Sequence, residues 1–248
     1  MGKKMRQLLL GLTALFFVSG FAGKGMTETR VLEVGCLDFP PYYSTNSKTK
    51  EVEGIFIDFL KQLFERADLK YNIVMSPPAR LYNDLATGKT NIWMGTTGVD
   101  AYADKVNLSP EKILDIHLNV YTIGDNPLPK SKTELNGMQL TTIHGYNYAG
   151  LIKYLKDPAN NITMNAAPSH ESAFKILAAG RGKYVLDYKE PAEKALQAIP
   201  AIPDLKVSQI VVVPIYFNIN KNTPDAEALM VKIMDTFHLL KAENKMPF

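Results

Sequence analysis

From Val31 onward, short apolar runs alternate with stretches whose apolar residues recur three and four positions apart. That rhythm predicts strands alternating with amphipathic helices. Val31–Leu37 reads as a strand, followed by the loop Asp38-Phe39-Pro40-Pro41-Tyr42-Tyr43 and a polar turn through Lys50. Gly54 opens a helical stretch with Phe56, Leu60, Leu63, Phe64 and Ala67 at helical spacings. Tyr71–Met75 is a second strand, and Ser76-Pro77-Pro78 starts a second helix, since serine caps free N–H groups and proline suits the first turn. Leu81, Leu85 and Ala86 form its inner face and Gly88 its end. Asn91–Met94 is a third strand, running into the tight Gly95-Thr96-Thr97-Gly98. Strand–helix–strand–helix–strand implies a parallel sheet. Ligands on such sheets sit at the carboxyl ends of the strands, here the Asp38–Tyr43 loop and the Gly95–Gly98 turn.

A Pro-rich passage, Asp125-Asn126-Pro127-Leu128-Pro129-Lys130, interrupts the rhythm before a similar cycle begins. Met138–Ile143 reads as a strand, and His144-Gly145-Tyr146-Asn147 as a turn into a helix carrying Leu151, Ile152 and Leu155. Ser169 caps a further helix with Phe174, Ile176 and Leu177 inward and Gly180 at its end. Tyr184–Asp187 is a strand leading to a helix around Pro191–Ala198; Ile210–Ile219 is a long β-branched run. Thr223-Pro224-Asp225 starts a last helix striped by Leu229, Ile233, Phe237 and Leu240. The repetition lies in the architecture and not in the residues.

Upstream of this pattern, Lys3, Lys4 and Arg6 precede an apolar run from Leu8 to Phe21 and the small residues around Ser19–Gly23. At about 14 residues the run is short of the roughly 20 that a membrane-spanning helix needs. A cleavable secretory signal over residues 1–23 is therefore expected, cut near residues 20–25. Of 28 basic and 25 acidic residues, three basic ones and no acid lie in that segment, so the remainder is balanced at 25 against 25. A neutral body without a basic run lacks the electrostatic footprint of a nucleic-acid binder. With 46% hydrophobic and 21% charged residues the composition is that of an ordinary globular chain, which excludes disordered and fibrous classes. The single cysteine, Cys36, excludes an internal disulfide and a Cys-based zinc site.

The motifs, taken in order, resemble family 3 extracellular solute-binding proteins, the type II periplasmic binding proteins. The resemblance rests on the strand followed by Pro40-Pro41-Tyr42, on Gly54-Ile55-Phe56-Ile57-Asp58-Phe59-Leu60, on Gly88-Lys89-Thr90-Asn91 and on Gly95-Thr96-Thr97. Val106-Asn107-Leu108-Ser109 stands where the family usually has Val-Asp-Phe-Ser, and Leu135-Asn136-Gly137 and Ile176–Arg181 continue the match. The resemblance implies an α/β fold of two lobes joined by a two-segment hinge. Residues 30–122 with 213–248 would form the first lobe and 123–212 the second, crossing at Tyr121-Thr122 and Val212-Val213-Pro214. It implies a monomeric periplasmic protein without cofactor that shuts on a small molecule and presents it to a membrane permease.

Amino-acid binders of this family grip the α-carboxylate with an Arg a few residues before the Val-Asp-Phe-Ser motif. Tyr102 occupies that position, and no Arg lies between Arg80 and Arg181. The bidentate fork is missing, which argues against a standard α-amino acid as ligand. The family's second grip, an acid at the end of a second-lobe strand, maps to Asp187 or its neighbour Tyr188; Asp187 reads as an acceptor for an amine or hydroxyl, or else as a helix cap or surface acid. Arg80, in the first turn of its helix, is a substitute anion contact, or a solvated Arg paired with a neighbouring acid. The turn at Gly145, Tyr146 and Asn147 offers N–H groups to a ligand, and Gly145 permits close backbone approach. Tyr42, Tyr43, Tyr102, Tyr146, Tyr148 and Tyr188 gather at predicted loop ends and suit a ring- or amide-bearing polar ligand. Asp38, Gly95 and Thr96 complete the candidate set.

Other function classes have less in the residues to carry them. The four histidines show no metal-ligand spacing, and G-x-S-x-G and P-loop motifs are absent from the sequence. A cyclohexadienyl dehydratase-like enzyme would use Asp38 or Asp187 as acid or base. A ligand sensor for a membrane signalling protein would have the same cleft.

Overall fold

The computed structural model describes residues 30–248; the expected signal segment lies outside them. Val31 to Phe248 form one compact unit. In its first half the chain runs through β1 (Val31–Cys36), a hairpin of β2 (Ser44–Thr45) and β3 (Val52–Glu53), α1 (Ile55–Arg66), β4 (Lys70–Met75), α2 (Pro78–Thr87), β5 (Ile92–Gly95) and β6 (Val106–Leu108). β1 lies between β4 and β5 and is parallel to both. α1 buries Phe56, Ile57, Phe59, Leu60, Leu63 and Phe64, and α2 buries Leu81 and Leu85. The chain turns out of α2 at Gly88, whose φ of 82° is left-handed and suits a residue without Cβ.

The second half holds β7 (Leu114–Ile123), β8 (Gln139–Ile143), α3 (Ile152–Lys156), β9 (Thr163–Ala167), α4 (His170–Ala178), β10 (Tyr184–Tyr188), α5 (Lys189–Gln197), β11 (Leu205–Asn220) and α6 (Ala226–Ala242). β8 is parallel to β9 and β10, while β10 is antiparallel to β7. β11 joins the halves. Its residues Leu205–Ile215 run antiparallel to β7, and Tyr216–Ile219 continue antiparallel to β5. Tyr121 and Thr122, expected at a crossing, stand opposite Val185 and Tyr184 of β10. Val212–Pro214, the other expected crossing, stands opposite residues 115–117 of β7, just before β11 passes to β5.

The expected elements are present, with additions. β2, β3, β6, β7 and β9 have no counterpart in the periodicity reading; most are short or half-exposed pieces whose apolar content is too low to mark them. Two expectations are corrected. Pro77 and not Ser76 stands at the N-cap of α2, and no side chain caps that helix. The turn at His144–Asn147 does not open a helix, because Tyr148, Ala149 and Gly150 all take positive φ (54°, 54° and 86°), and α3 begins only at Ile152.

Two asparagines, Asn220 buried and Asn91 half-buried, stitch the first half to β11 and the turn after it. Asn220 Nδ2 donates to the Leu85 carbonyl at 2.6 Å, tying down the end of α2, and its Oδ1 accepts from the Asn222 N–H at 2.8 Å. Asn91 Oδ1 accepts from the Glu33 N–H at 2.9 Å and its Nδ2 donates to Thr223 Oγ1 at 3.3 Å. Truncating Asn220 to alanine strands a buried carbonyl, and a loss of about 1–3 kcal/mol is expected in urea unfolding of N220A.

Candidate functional site

The carboxyl ends of β1 and β5 face the end of β10 and the turn after β8 across a cavity. Leu37, Phe39, Tyr43, Phe56, Tyr82, Trp93, Met94, Gly95 and Thr96 line it from the first half, with Ile116 of β7 and Ile215 of β11. Tyr146, Asn147, Tyr148, Ala149 and Tyr188 line it from the second. Eight of these sixteen residues are aromatic and none carries a charge, so the site is apolar with a few polar tips. Its free volume is about 40 Å³, room for about three water molecules. Ligand pockets run to roughly 300–1,000 Å³, so the cavity as it stands is far smaller than a pocket filled by a ligand.

The aromatic walls interlock. Phe39 meets Tyr188 edge-on at 5.1 Å across the cleft, and Tyr148 stacks on Tyr188 at 6.0 Å. Trp93 packs edge-on against Tyr102 at 5.7 Å and tilted against Tyr82 at 5.7 Å. Tyr43 donates to the Met94 carbonyl at 2.8 Å, and Tyr148 Oη accepts from the Ile143 N–H at 2.6 Å while donating to Leu186 O at 3.3 Å. Burial holds the Tyr43, Tyr146, Tyr148 and Tyr188 phenols well above their usual range, which keeps them neutral. One buried polar group in the wall has no partner, the Trp93 indole Nε1–H.

Beside the cavity runs a chain of hydrogen bonds. Asp187, fully buried, accepts the Tyr188 N–H at 2.8 Å on Oδ1 and faces His170 Nδ1 at 2.7 Å with Oδ2. His170 Nε2 lies 3.0 Å from the Tyr146 hydroxyl, which donates at 2.6 Å to the backbone carbonyl of Asp38 in the first half. Burial raises the Asp187 carboxyl and the His170 contact opposes that rise. Further contacts cross the cleft. Gly98 and Gly150 approach so closely that a Cβ on Gly150 would lie 2.4 Å from the Gly98 carbonyl oxygen, and Lys153 pairs with Asp100 at 2.6 Å on the surface.

Of the expected site residues, Gly95, Thr96, Tyr146, Asn147 and Tyr188 meet at the cavity. Gly145 adopts a φ of 79° beside Pro78 across the cleft. Asp38 contributes its carbonyl, while its side chain borders a second groove with His144 and His170. Four positions depart from expectation. Tyr42 packs between Phe39 and Phe56, ring centres 5.7 and 4.2 Å away, and Tyr43 takes its place at the cavity because successive side chains point apart. Arg80 is the solvated alternative, 63% exposed and paired with Asp84 at 3.4 Å. Tyr102 lies behind the wall, donating to the Thr96 carbonyl at 2.8 Å and bracing Trp93. Asp187 holds His170 and does not line the cavity. Phe39, Phe56, Tyr82, Trp93 and His170 were not among the expected site residues. The only tryptophan, two residues before a glycine at a strand end, was the available signal for Trp93.

No protein-family model matches the chain, and no curated protein sequence matches it. Solved structures do. A histidine kinase sensor domain with similarity to periplasmic binding proteins superposes with a TM-score of 0.71 at 16% identity, over 88% of this chain and 92% of that one. The fold is that of the two-lobed periplasmic binding proteins. The substrate-binding protein of an amino acid ABC transporter shares this fold at TM-score 0.67 and 18% identity, covering 88% and 96% of the two chains. So does an ancestral amino acid-binding protein described as a precursor of cyclohexadienyl dehydratase, at TM-score 0.67 and 21% identity over 87% and 91%.

Two substitutions probe the wall. An alanine Cβ at position 95 would lie 2.1 Å from the Trp93 ring. Gly95→Ala is expected to cost about 1–3 kcal/mol and to shift the Trp93 emission, read in a thermal melt followed by fluorescence. Cys36 is buried with its thiol pushed up to about 12 by desolvation, so the reactive thiolate is scarce at neutral pH. A thiol reagent is expected to leave the native protein unlabelled and to modify it once unfolded.

Proposed function

We propose that this chain is an exported solute-binding protein of the periplasm. It traps one small molecule between its lobes and presents it to the membrane permease of an ABC-type importer. One observation carries the reading: Tyr43, Trp93 and Thr96 face Tyr146, Tyr148 and Tyr188 across the same cavity, so an occupant touches both lobes. A ligand shifts the open–shut balance only through contacts that differ between the two forms, and a two-sided wall supplies them. Bending is carried by the paired segments Leu114–Leu118 and Val211–Ile215, just before β11 changes partner from β7 to β5 at Tyr216. The protein acts as a monomer without a cofactor, with residues 1–23 as its export signal.

The wall favours a ring- or amide-bearing polar molecule over a standard α-amino acid. A buried zwitterion needs fixed charges opposite each end, and the cavity wall has none. Stacking on Tyr148 and Tyr188 and an acceptor for the unpaired Trp93 Nε1–H suit a planar ligand with a polar edge. Binding is favoured over catalysis because Asp187, the buried acid nearest the site, is committed to His170 and the Tyr188 N–H. A second reading has support from the sensor domain that superposes over 88% of this chain: the same capture would report to a membrane signalling protein.

Native mass spectrometry of protein purified without refolding should show a bound molecule. Returning that molecule to stripped protein should change the emission of the single tryptophan and contract the scattering profile. Tyr188→Ala should weaken its binding on the order of ten-fold. Tight calorimetric binding of a standard α-amino acid would overturn the ligand class, and a profile unchanged by any bound molecule would overturn the closing mechanism. Recovery of a permease or of a signalling receptor in a pull-down separates the two readings.

A further inference from the structure

The chain Asp187–His170–Tyr146–Asp38 admits a count of protons. The Asp38 carbonyl oxygen only accepts, so the single hydroxyl proton of Tyr146, 2.6 Å away, is spent on it. His170 Nε2, at 3.0 Å from the same hydroxyl, must then donate. One more proton lies between His170 Nδ1 and Asp187 Oδ2, which are 2.7 Å apart. The buried pair thus carries two protons and no net charge, whether as imidazolium and carboxylate or as imidazole and carboxylic acid.

Removing the shared proton rearranges the whole chain. The carboxylate of Asp187, with no exposed surface, requires a donor, and the proton left on His170 moves to Nδ1 to supply it. Nε2 becomes an acceptor. Tyr146 then turns its hydroxyl proton to Nε2 and gives up the Asp38 carbonyl. We infer that the proton shared by His170 and Asp187 controls a clasp across the cleft: Tyr146 bridges the lobes while the proton is present and releases them when it leaves. This deepens the solute-binding reading by giving its cleft a regulator.

The surroundings permit the switch. From the loop after β1, the Asp38 carboxyl faces His170; burial raises it and the His170 contact opposes that rise. His144, from the turn after β8, shares the groove beside His170, and Tyr148 from the same turn lies within reach of Asp187. Tyr188 on β10 and Tyr121 on β7 also face Asp187, and both phenols are raised by burial and remain neutral. On α4 itself Glu171 is turned to Lys175, and Glu190 and Glu193 of α5 act on Tyr121. The shut form holds the shared proton more tightly than the open one, because only there is Tyr146 engaged by Asp38. Closing therefore takes up a proton, is favoured at low pH and is lost as pH rises through the titration of the shut pair.

The test needs no ligand, so it stands apart from the question of what the cleft binds. Scattering and Trp93 emission of stripped protein are followed between about pH 5 and about pH 9. The ratio of shut to open wild-type protein is expected to fall about five-fold with rising pH, the weight of one hydrogen bond. Tyr146→Phe should give a flat profile at the open end. Asp187→Asn should be flat at the shut end, since the amide N–H donates to Nδ1 and leaves Nε2–H for Tyr146. A flat wild-type profile, or a Tyr146→Phe profile that follows wild type, overturns the clasp; so does an Asp187→Asn protein as open as Tyr146→Phe. If Asp187→Asn does not fold, the comparison of wild type with Tyr146→Phe decides alone. A protein that binds no solute but shows these profiles would refute the solute-binding reading and leave the clasp standing.

Discussion

The antiparallel pairing of β7 with β11 is the constraint on which the rest depends. β11 is 16 residues long, more than one sheet of this size needs. Its first part belongs with β7 and the strands of the second half, its last part with β5 and β6. One continuous strand thus ties two parallel βαβ layers into a single nine-stranded arrangement. Because the strand is shared, the layers are tethered along one line, and their strand ends face each other over a gap that each half fills with rings.

That gap has the chemistry of a dry site. Removing charged groups from water without partners is costly, and a cavity of this kind is built from side chains that tolerate burial with one polar atom satisfied. Tyrosine meets that requirement at Tyr43, Tyr146 and Tyr148, each with its hydroxyl bonded to backbone or side chain and its ring in the wall. The ionisable groups are held just outside. Asp187 and His170 bond to each other behind the second wall, and Arg80 is out in solvent with Asp84. What remains for a ligand is a set of ring faces from two sides and one unpaired indole N–H.

The same arrangement accounts for the departures from the amino-acid-binding pattern. Tyr102, at the position where the resemblance implies a cation, is a ring that braces Trp93 behind the hydrophobic wall. The acid at position 187 is kept, but α4 places His170 on its free oxygen. Both positions expected to grip an amino acid are thus occupied otherwise: a ring braces the wall at 102, and the acid at 187 is bonded to His170.

The strand-and-helix order, the parallel first layer, the caps at Ser169 and Gly88 and the buried stripe of α6 were legible in the sequence. They follow from local periodicity and from backbone preferences that act over a few residues. So were the loop ends that border the cavity, since a parallel sheet leaves its ligand face at the strand carboxyl ends. Which tyrosine faces the cleft was not. Tyr42 and Tyr43 are adjacent and chemically alike, and only packing on Phe56 and the bond to Met94 sorts them. His170 and Asp187, seventeen positions apart, carry no joint signal along the chain; α4 and β10 bring them together by crossing the same layer. The short strands β6 and β9 likewise exist through their partners. Sequence alone set what is decided within a turn or a strand, and tertiary structure set every contact whose partners are brought together only when distant segments pack.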